Sequence, residues 1–442
     1  MPARETWATR IGFILAAVGS AVGLGNIWRF PFLTSDSGGA AFLVVYLLFV
    51  AFIGFPVLLV EFVIGRRSER NPVNAFERLG KPAWTFAGVI GALAGFVILS
   101  YYSVVGGWVL RYIIASATGA YFADPAAYFE TVATGTDAVA YHAVFMALVA
   151  GVVAVGIRDG LERAAKVMVP SVIVLLVILA AYGATLSGAS EAYSYYLAPD
   201  LGELSGNLLS ILPAAAGQAF FTLSLGMGVM ITYSSYLGED RNLVSDGLTV
   251  VAIDTMVAFL AGLVVFPFLF TQGVDPGEGG VGAVFISLAT AFAQLPAGRI
   301  LGVVFFFMLG IAALTSAFSI LEVIVSFLID NFGVDRKVGT IAIAAILFVI
   351  GIPTALDLNV LTAYDAVANN ILLILGGLLL SIFVGWVYAE GSLDEFVRGA
   401  GSSASLSTPW IWVVRTLVIA VLAVTLYLGT QDVITTLQET VL

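Results

Sequence analysis

Eleven stretches of this chain stay apolar for long enough to cross a lipid bilayer, near residues 11–32, 40–65, 86–118, 139–156, 167–186, 209–237, 246–271, 299–329, 339–352, 367–388 and 409–428. A helix needs roughly 20 residues to span about 30 Å of hydrocarbon. The ninth run is short, and the rest suffice. The chain is 60% hydrophobic and 11% charged, far from the ~45–50% and ~25% of a soluble domain. The runs show no two-residue polar alternation, which argues against a β-barrel. The fold class that follows is an all-α polytopic membrane protein of about 11 transmembrane helices. No long Pro/Gly/Ser linker divides residues 1–442, so they read as a single transmembrane domain.

Two of these runs contain residues that lipid does not favour. The first holds "AVGLGNIWRFP" (21–31) and the sixth holds "FTLSLGMGVM". An Arg at the centre of a spanning helix costs about 2.5–3.5 kcal/mol on insertion scales. Glycines in small-xxx-small spacing can simply let two helices approach closely, and Gly19 and Gly23 fit that alternative. Close packing does not call for Asn26 and Arg29, nor for Gln218, Thr222 and Ser224 beside the second interruption. Two glycine-interrupted spans five apart point instead to a transporter built as a 5+5 inverted repeat with discontinuous helices 1 and 6. Its halves would run over about 7–186 and 207–389, with an extra helix at about 409–428. Unwinding in a bilayer frees main-chain N–H and C=O groups, each costing several kcal/mol without a partner. Freed carbonyls suit a small hard cation, and freed amides at a half-helix N-terminus suit a carboxylate.

Of the 18 Lys and Arg, all but Arg29, Arg111, Arg299 and Arg415 fall on one side if the N-terminus is cytoplasmic. Acidic residues such as Asp124, Glu130, Asp137 and Glu191 crowd the other side, and eleven spans then leave the C-terminus outside. The first run lacks a cleavage site, so it is not read as a signal peptide. The segment 272–297 contains its own apolar helical stretch, expected to be a re-entrant helix or lid. The stretch "EGSLDEFVRGAGSSASLSTP" reads as a short surface connector. Cysteine is absent and His142 is the sole histidine, which leaves no thiolate or histidine metal cluster. An activated nucleophile or phosphate loop is not evident either, so the chain is not expected to be an enzyme.

The motifs "WATRIGFILAAVGSAVGLGNIWRFP", "GGAAFLVVY", "GQAFFTLSLGMGVMITYSSY", "ALTSAFSILE" and "AYDAV" occur in this order along nearly the whole chain. Together they resemble the neurotransmitter:sodium symporters, in particular the prokaryotic amino-acid branch. The resemblance implies two sodium ions. The first site would be formed by Ala21, Asn26, Thr222 and Asp254, and the second by Gly19, Val22, Ala312, Thr315 and Ser316. It also implies a substrate pocket of Ala21, Leu24, Gly25, Ile98, Tyr102, Phe221, Thr222, Ser224, Met227, Ser316 and Ile320. The carboxylate would be held by the Leu24 and Gly25 amides and Tyr102. Gly23 stands where the family's monoamine carriers have an aspartate, so an amino acid is expected. The apolar lining, with a deformable Met227, favours a hydrophobic or aromatic L-amino acid.

By the same resemblance Arg29 and Asp365 form an outer gate above Tyr102 and Phe221. Arg4 and Asp330 pair at the inner side, supported by Trp7, Ser235 and Tyr236. Glu61 is read as the acceptor for the unwound amides of span 6. Asp254 stands where a leucine-carrying member of the family has Asn, and Ala258 stands one turn later, where other members place an acid or a serine. An ionised Asp254 would offset charge that chloride neutralises elsewhere, beside Tyr46, Gln218 and Thr222. No chloride requirement is therefore expected, and Asp254 is expected to take up a proton when the sodium sites empty. Gly160 and Pro170 resemble the pattern that lets span 5 unwind at its inner end.

The expected function is sodium-coupled symport of an amino acid across the cell membrane by alternating access. A proton-coupled carrier and a non-transporting amino-acid sensor on the same fold are the alternatives. At ~100 mV each sodium supplies about 2.3 kcal/mol and a tenfold gradient adds about 1.4, so two ions deliver roughly 7 kcal/mol. The expected partners are the substrate and the bilayer, with no nucleic acid, and the chain is expected as a monomer or weak homodimer.

Overall fold

The computed structural model describes residues 6–199, 201–238, 241–273 and 282–440, and helices account for nearly all of them. Nine are long and apolar enough to cross a membrane among the described residues: Ala40–Ser68, Pro82–Thr118, Thr136–Val153, Ile157–Gly183, Leu243–Thr271, Gly298–Phe332, Arg336–Leu356, Leu358–Val387 and Ala389–Thr440. These correspond to spans 2–5 and 7–11. Span 1 is a bent pair, Arg10–Ala21 and Gly25–Asp36, meeting at 46°. Span 6 is likewise two helices, Leu201–Thr222 and Val229–Ser234. The apolar part of the first, Ile211–Thr222, and the second are each too short to span alone.

Local chemistry explains where these helices begin and bend. Thr9 caps span 1 by accepting from the Gly12 amide at 2.9 Å, satisfying a donor that the first helical turn cannot. Pro31 lies within the outer half, at the point where the π-helical turn Gly25–Arg29 gives way to the regular helix Phe30–Asp36, and its missing N–H removes one helical hydrogen bond there. Spans 2, 5 and 10 each carry a π-helical turn, at Val50–Gly54, Ile157–Glu162 and Ala368–Leu373. Such insertions locally free main-chain carbonyls.

Three expectations need correction. Span 9 extends over Arg336–Leu356 rather than 339–352. Span 10 starts at Leu358, well before residue 367, with Asp357 alone between the two helices. Asp357 ends one helix and caps the next, its carboxylate accepting from the Asn359 amide at 2.8 Å, so polar residues that read as a loop are a helical corner. The stretch after span 10 is not a surface connector. It forms a helix, Ala389–Ala400, whose spacing turns Ser392, Glu395, Phe396 and Gly399 inward. Glu395 there pairs with buried Arg66 from span 2, Nε to Oε1 at 2.5 Å. The segment 272–297 does contain a helix, Ala283–Gln294, packed against Pro125–Ala133 and spans 7 and 8. Residues 274–281 lie outside the described residues.

The core is built around span 1, which packs on spans 5, 7 and 8, while span 3 lies along span 8. Backbones approach closely at the second break. Gly226 has φ +80°, and a Cβ there would run into the Leu373 carbonyl of span 10. Left-handed backbone costs a β-carbon about 1–2 kcal/mol and overpacking about 1–3. Gly226→Ala is therefore expected to destabilise the fold by about 2–4 kcal/mol, read as a lower melting temperature and less monodisperse protein on size-exclusion chromatography. A melting temperature equal to wild type would show that span 10 yields freely.

Candidate functional site

The two breaks face each other in the interior. In span 1, residues 22–24 leave the helical ladder, and the Leu24 amide donates to Tyr102 Oη at 3.2 Å. Carbonyls freed on the inner side of the break gather hydroxyls. Ser224 Oγ and Ser316 Oγ each lie 2.9 Å from Ser20 O. Gly25 O accepts from Gln218 Nε2 at 2.8 Å. In span 6, the turn after Thr222 is held from behind by Glu61, fully buried, whose carboxylate accepts from the Gly226 amide at 2.7 Å and the Ile231 amide at 3.3 Å. Glu61 thus accepts from two main-chain amides of span 6, as expected of it.

Residues read as the first sodium site lie together. Asn26 Nδ2 donates to Asp254 Oδ1 at 2.7 Å and to its carbonyl at 3.2 Å. Thr222 Oγ1 is 3.2 Å from both Asp254 carboxylate oxygens. Asn26, Thr222 and Asp254 are all fully buried, and Ala21 lies on the adjoining pocket wall. The set is made of hard oxygens with one acidic group, the donor chemistry an alkali cation takes. The second set also converges. Ser316 Oγ is 3.4 Å from Gly19 O and 3.5 Å from Val22 O, and Thr315 Oγ1 is 3.0 Å from Ala312 O. Next to it, a cavity of about 10 Å³ is lined by Gly19, Thr315, Tyr233 and, from span 5, Leu161 and Ala165. That is room for about one water, beside the π-helical turn Ile157–Glu162, which contains Gly160, while Pro170 lies further on in the regular helix Arg163–Gly183.

Between the breaks a second cavity is lined by Ser20, Ala21, Gly23, Gly25, Ile98, Tyr102, Phe221, Ser224, Met227, Ser316 and Ile320. Two residues read as substrate contacts are not on this wall. Thr222 turns toward Asp254, and Leu24 reaches the site through its amide. Ser20 was missed by the sequence reading. It links Ser224 and Ser319 in a buried hydroxyl cluster, with Oγ separations of 3.2 and 2.7 Å, and only its place beside the break could have flagged it. The side chains leave about 10 Å³ open here, room for about one water.

The structure does not bring Arg29 and Asp365 into an ion pair. Arg29 donates to Gln218 Oε1 at 3.1 Å and lies 5.5 Å from the centre of the Phe221 ring, while Asp365 accepts from Asn369 Nδ2 at 2.7 Å. Arg4 lies outside the described residues. Its expected partner Asp330 accepts from Asn71 Nδ2 at 2.9 Å. Trp7 is buried and donates to Tyr233 O at 2.9 Å. Ser235 Oγ donates to Thr232 O at 2.6 Å. Tyr236 donates to Glu322, itself fully buried and paired with Arg336 at 2.6 Å. Glu322 carried a signal, an acid inside an apolar span, that motif reading passed over. Glu162 also went unread. It accepts from the Ala8 amide at 2.8 Å, Thr9 Oγ1 at 2.9 Å and Lys166 Nζ at 2.7 Å, tying span 5 to the start of span 1.

An all-helical membrane bundle whose two interrupted helices meet around buried oxygen clusters and a small pocket is a membrane transporter, not an enzyme. The sequence pattern of the sodium:neurotransmitter symporter family matches residues 4–123 and 120–438, and the chain belongs to that family of sodium-dependent transporters. It is 37% identical over 430 residues to the uncharacterized sodium-dependent transporter YhdH of Bacillus subtilis, covering 93% of this chain and 94% of that one. An uncharacterized sodium-dependent transporter of Methanocaldococcus jannaschii is 34% identical, over 98% of this chain and 92% of its own. The crystal structure of MhsT in complex with L-phenylalanine superposes with a TM-score of 0.88 at 40% identity, covering 97% of this chain and 100% of that one.

Proposed function

We propose that this chain carries a hydrophobic or aromatic L-amino acid together with two sodium ions, without a chloride requirement. The observation that carries the reading is the meeting of buried Asn26, Thr222 and Asp254 with an apolar pocket at the broken helices. Gly23 leaves room for a substrate carboxylate, since a Cβ there would collide with Ser316 Oγ and Tyr102 Oη. The Leu24 and Gly25 amides and the Tyr102 hydroxyl would orient that carboxylate. Ile98, Met227 and Ile320 would take the side chain, and phenylalanine bound to the similar MhsT supports an aromatic one. The N-terminus is assigned to the cytoplasm on the distribution of Lys and Arg, and Trp7 with Tyr236 would close that side.

Uptake and counterflow in proteoliposomes test this reading with a panel of twenty amino acids. Sodium-driven phenylalanine or leucine accumulation should fall to background when choline replaces sodium, and should change less than about twofold when gluconate replaces chloride. Accumulation that persists without sodium would assign the driving ion to protons. Strong loss in gluconate would reject chloride independence, and binding with no accumulation would make the chain a sensor.

A further inference from the structure

A cavity of about 340 Å³ opens where the end of span 2, the short helix Pro72–Arg78, the residues after span 6 and the helix Ala389–Ala400 meet. It lies on the face that carries the start of span 1, apart from the crossing of the broken helices. Four arginines line it, Arg66, Arg67, Arg78 and Arg398, against the carboxylates of Glu69 and Glu395. Asp394 adds negative charge near Arg67.

These arginines are unequally committed. Arg66 is 5% exposed and satisfied: its Nε is 2.5 Å from Glu395 Oε1 and its Nη1 donates to Arg241 O at 2.8 Å. Arg67 is hydrogen-bonded to Tyr388, and its Nη1 comes only to 3.6 Å from Glu395 Oε2, with Arg398 Nη1 at 3.5 Å. Both distances exceed a good charge-assisted hydrogen bond of about 2.7–2.9 Å. Glu395 Oε2 is buried and makes no hydrogen bond among the described residues. Arg78 is exposed, and no side-chain hydrogen bond or ion pair of its guanidinium occurs among the described residues. Three guanidinium groups therefore keep donors for something else, around a space as large as small-molecule sites of about 300–1,000 Å³.

We propose that this cavity binds a phosphate group, gripped by Arg67, Arg78 and Arg398. Guanidinium forks match phosphate oxygens bidentately, and with Glu395 claimed by Arg66 the three remaining arginines outnumber the carboxylates of Glu69 and Asp394. The wall formed by Leu79, Leu237 and the Tyr388 ring gives a carbon skeleton attached to the phosphate an apolar surface. Basic pockets among spanning helices accept lipid headgroups in this way. The same chemistry serves free phosphate, so the source is left to the measurement.

The test uses the full chain in detergent and follows thermal unfolding while one of four probes is titrated: inorganic phosphate, sulfate, phosphatidylglycerol in mixed micelles, or phosphatidylcholine in the same micelles. Wild type should be stabilised by phosphate or phosphatidylglycerol, and by phosphatidylcholine much less. A response to phosphatidylglycerol alone assigns the site to a lipid headgroup, and an equal response to inorganic phosphate assigns it to the free anion. Arg67→Gln with Arg398→Gln should raise the titration midpoint at least fivefold. Arg78→Gln, which breaks no ion pair among the described residues, should raise it severalfold in a protein that still folds. Lys337→Gln, an exposed charge on the same face that does not line the cavity, should leave it within twofold. Unchanged midpoints in the arginine variants, equal loss in the lysine control, or an equal response to sulfate would overturn the proposal.

Discussion

Asp254→Asn is expected to lower sodium-driven uptake in chloride-free medium by about two to three orders of magnitude while leaving the protein folded. The substitution keeps the size of the side chain and one oxygen for the Asn26 amide, so the packing around a fully buried position survives. What disappears is a negative charge among groups that would hold two sodium ions and a zwitterion. Unit charges 4 Å apart at an effective dielectric of 20 interact by about 4 kcal/mol, and each 1.4 kcal/mol is tenfold in affinity. Nothing nearby replaces that charge, since residue 258 one turn later is alanine. Tyr46 Oη is buried beside Thr222 and Asp254, where its hydroxyl can turn to donate to an anion. Added chloride should therefore restore part of the Asp254→Asn uptake and leave wild type unchanged. Radiolabelled uptake in gluconate and in chloride, with melting curves as the folding control, decides it. Wild-type rates for the variant in gluconate would remove Asp254 from the charge account.

What could be read from the sequence and what could not divides along a physical line. Both breaks were legible because each places residues that lipid disfavours inside an apolar run: Asn26 and Arg29 in one, Gln218 and Ser224 in the other. Family resemblance then assigned roles, and the structure sets Asn26, Thr222 and Asp254 side by side. Pairings between distant buried charges were not legible. Arg66 meets Glu395 across 329 residues, and a charged stretch such as "SLDEFVRGA" looks the same in one dimension whether it is solvated or turned inward. The corner at Asp357 was lost for a related reason. Apolar runs ending at 352 and resuming at 367 leave Asp357 outside both spans, whereas a carboxylate that caps the next helix lets the chain turn with a single residue between spans 9 and 10. The expected gate pairing of Arg29 with Asp365 is not formed: Arg29 is held on Gln218 and Asp365 on Asn369.

Glu61→Ala should be among the most damaging single changes in the spanning region, with a cost of about 3–5 kcal/mol. Around residues 223–228 span 6 has no regular ladder, and the Gly226 and Ile231 amides donate to the Glu61 carboxylate. Water cannot reach that fully buried position to take its place. Each buried donor left without an acceptor costs about 1–3 kcal/mol, and the vacated side-chain volume adds to the loss. Glu61→Gln separates the contributions. Its carbonyl oxygen can still accept from Gly226, but its amide nitrogen is a donor facing the Ile231 donor, so about half of the loss should remain. Because the entropy of unfolding grows with length, a chain of 442 residues shifts by only about 1 °C per kcal/mol, so Glu61→Ala should melt about 3–5 °C below wild type in detergent, with Glu61→Gln between them. The exposed Glu77→Ala on the same face should stay within about 1 °C, because a solvated carboxylate there leaves no buried group unpaired. If Glu61→Ala melted with Glu77→Ala, the unwound amides would have another acceptor. The break in span 6 could then not be maintained by span 2, and the coupling of these two spans through one carboxylate would have to be abandoned.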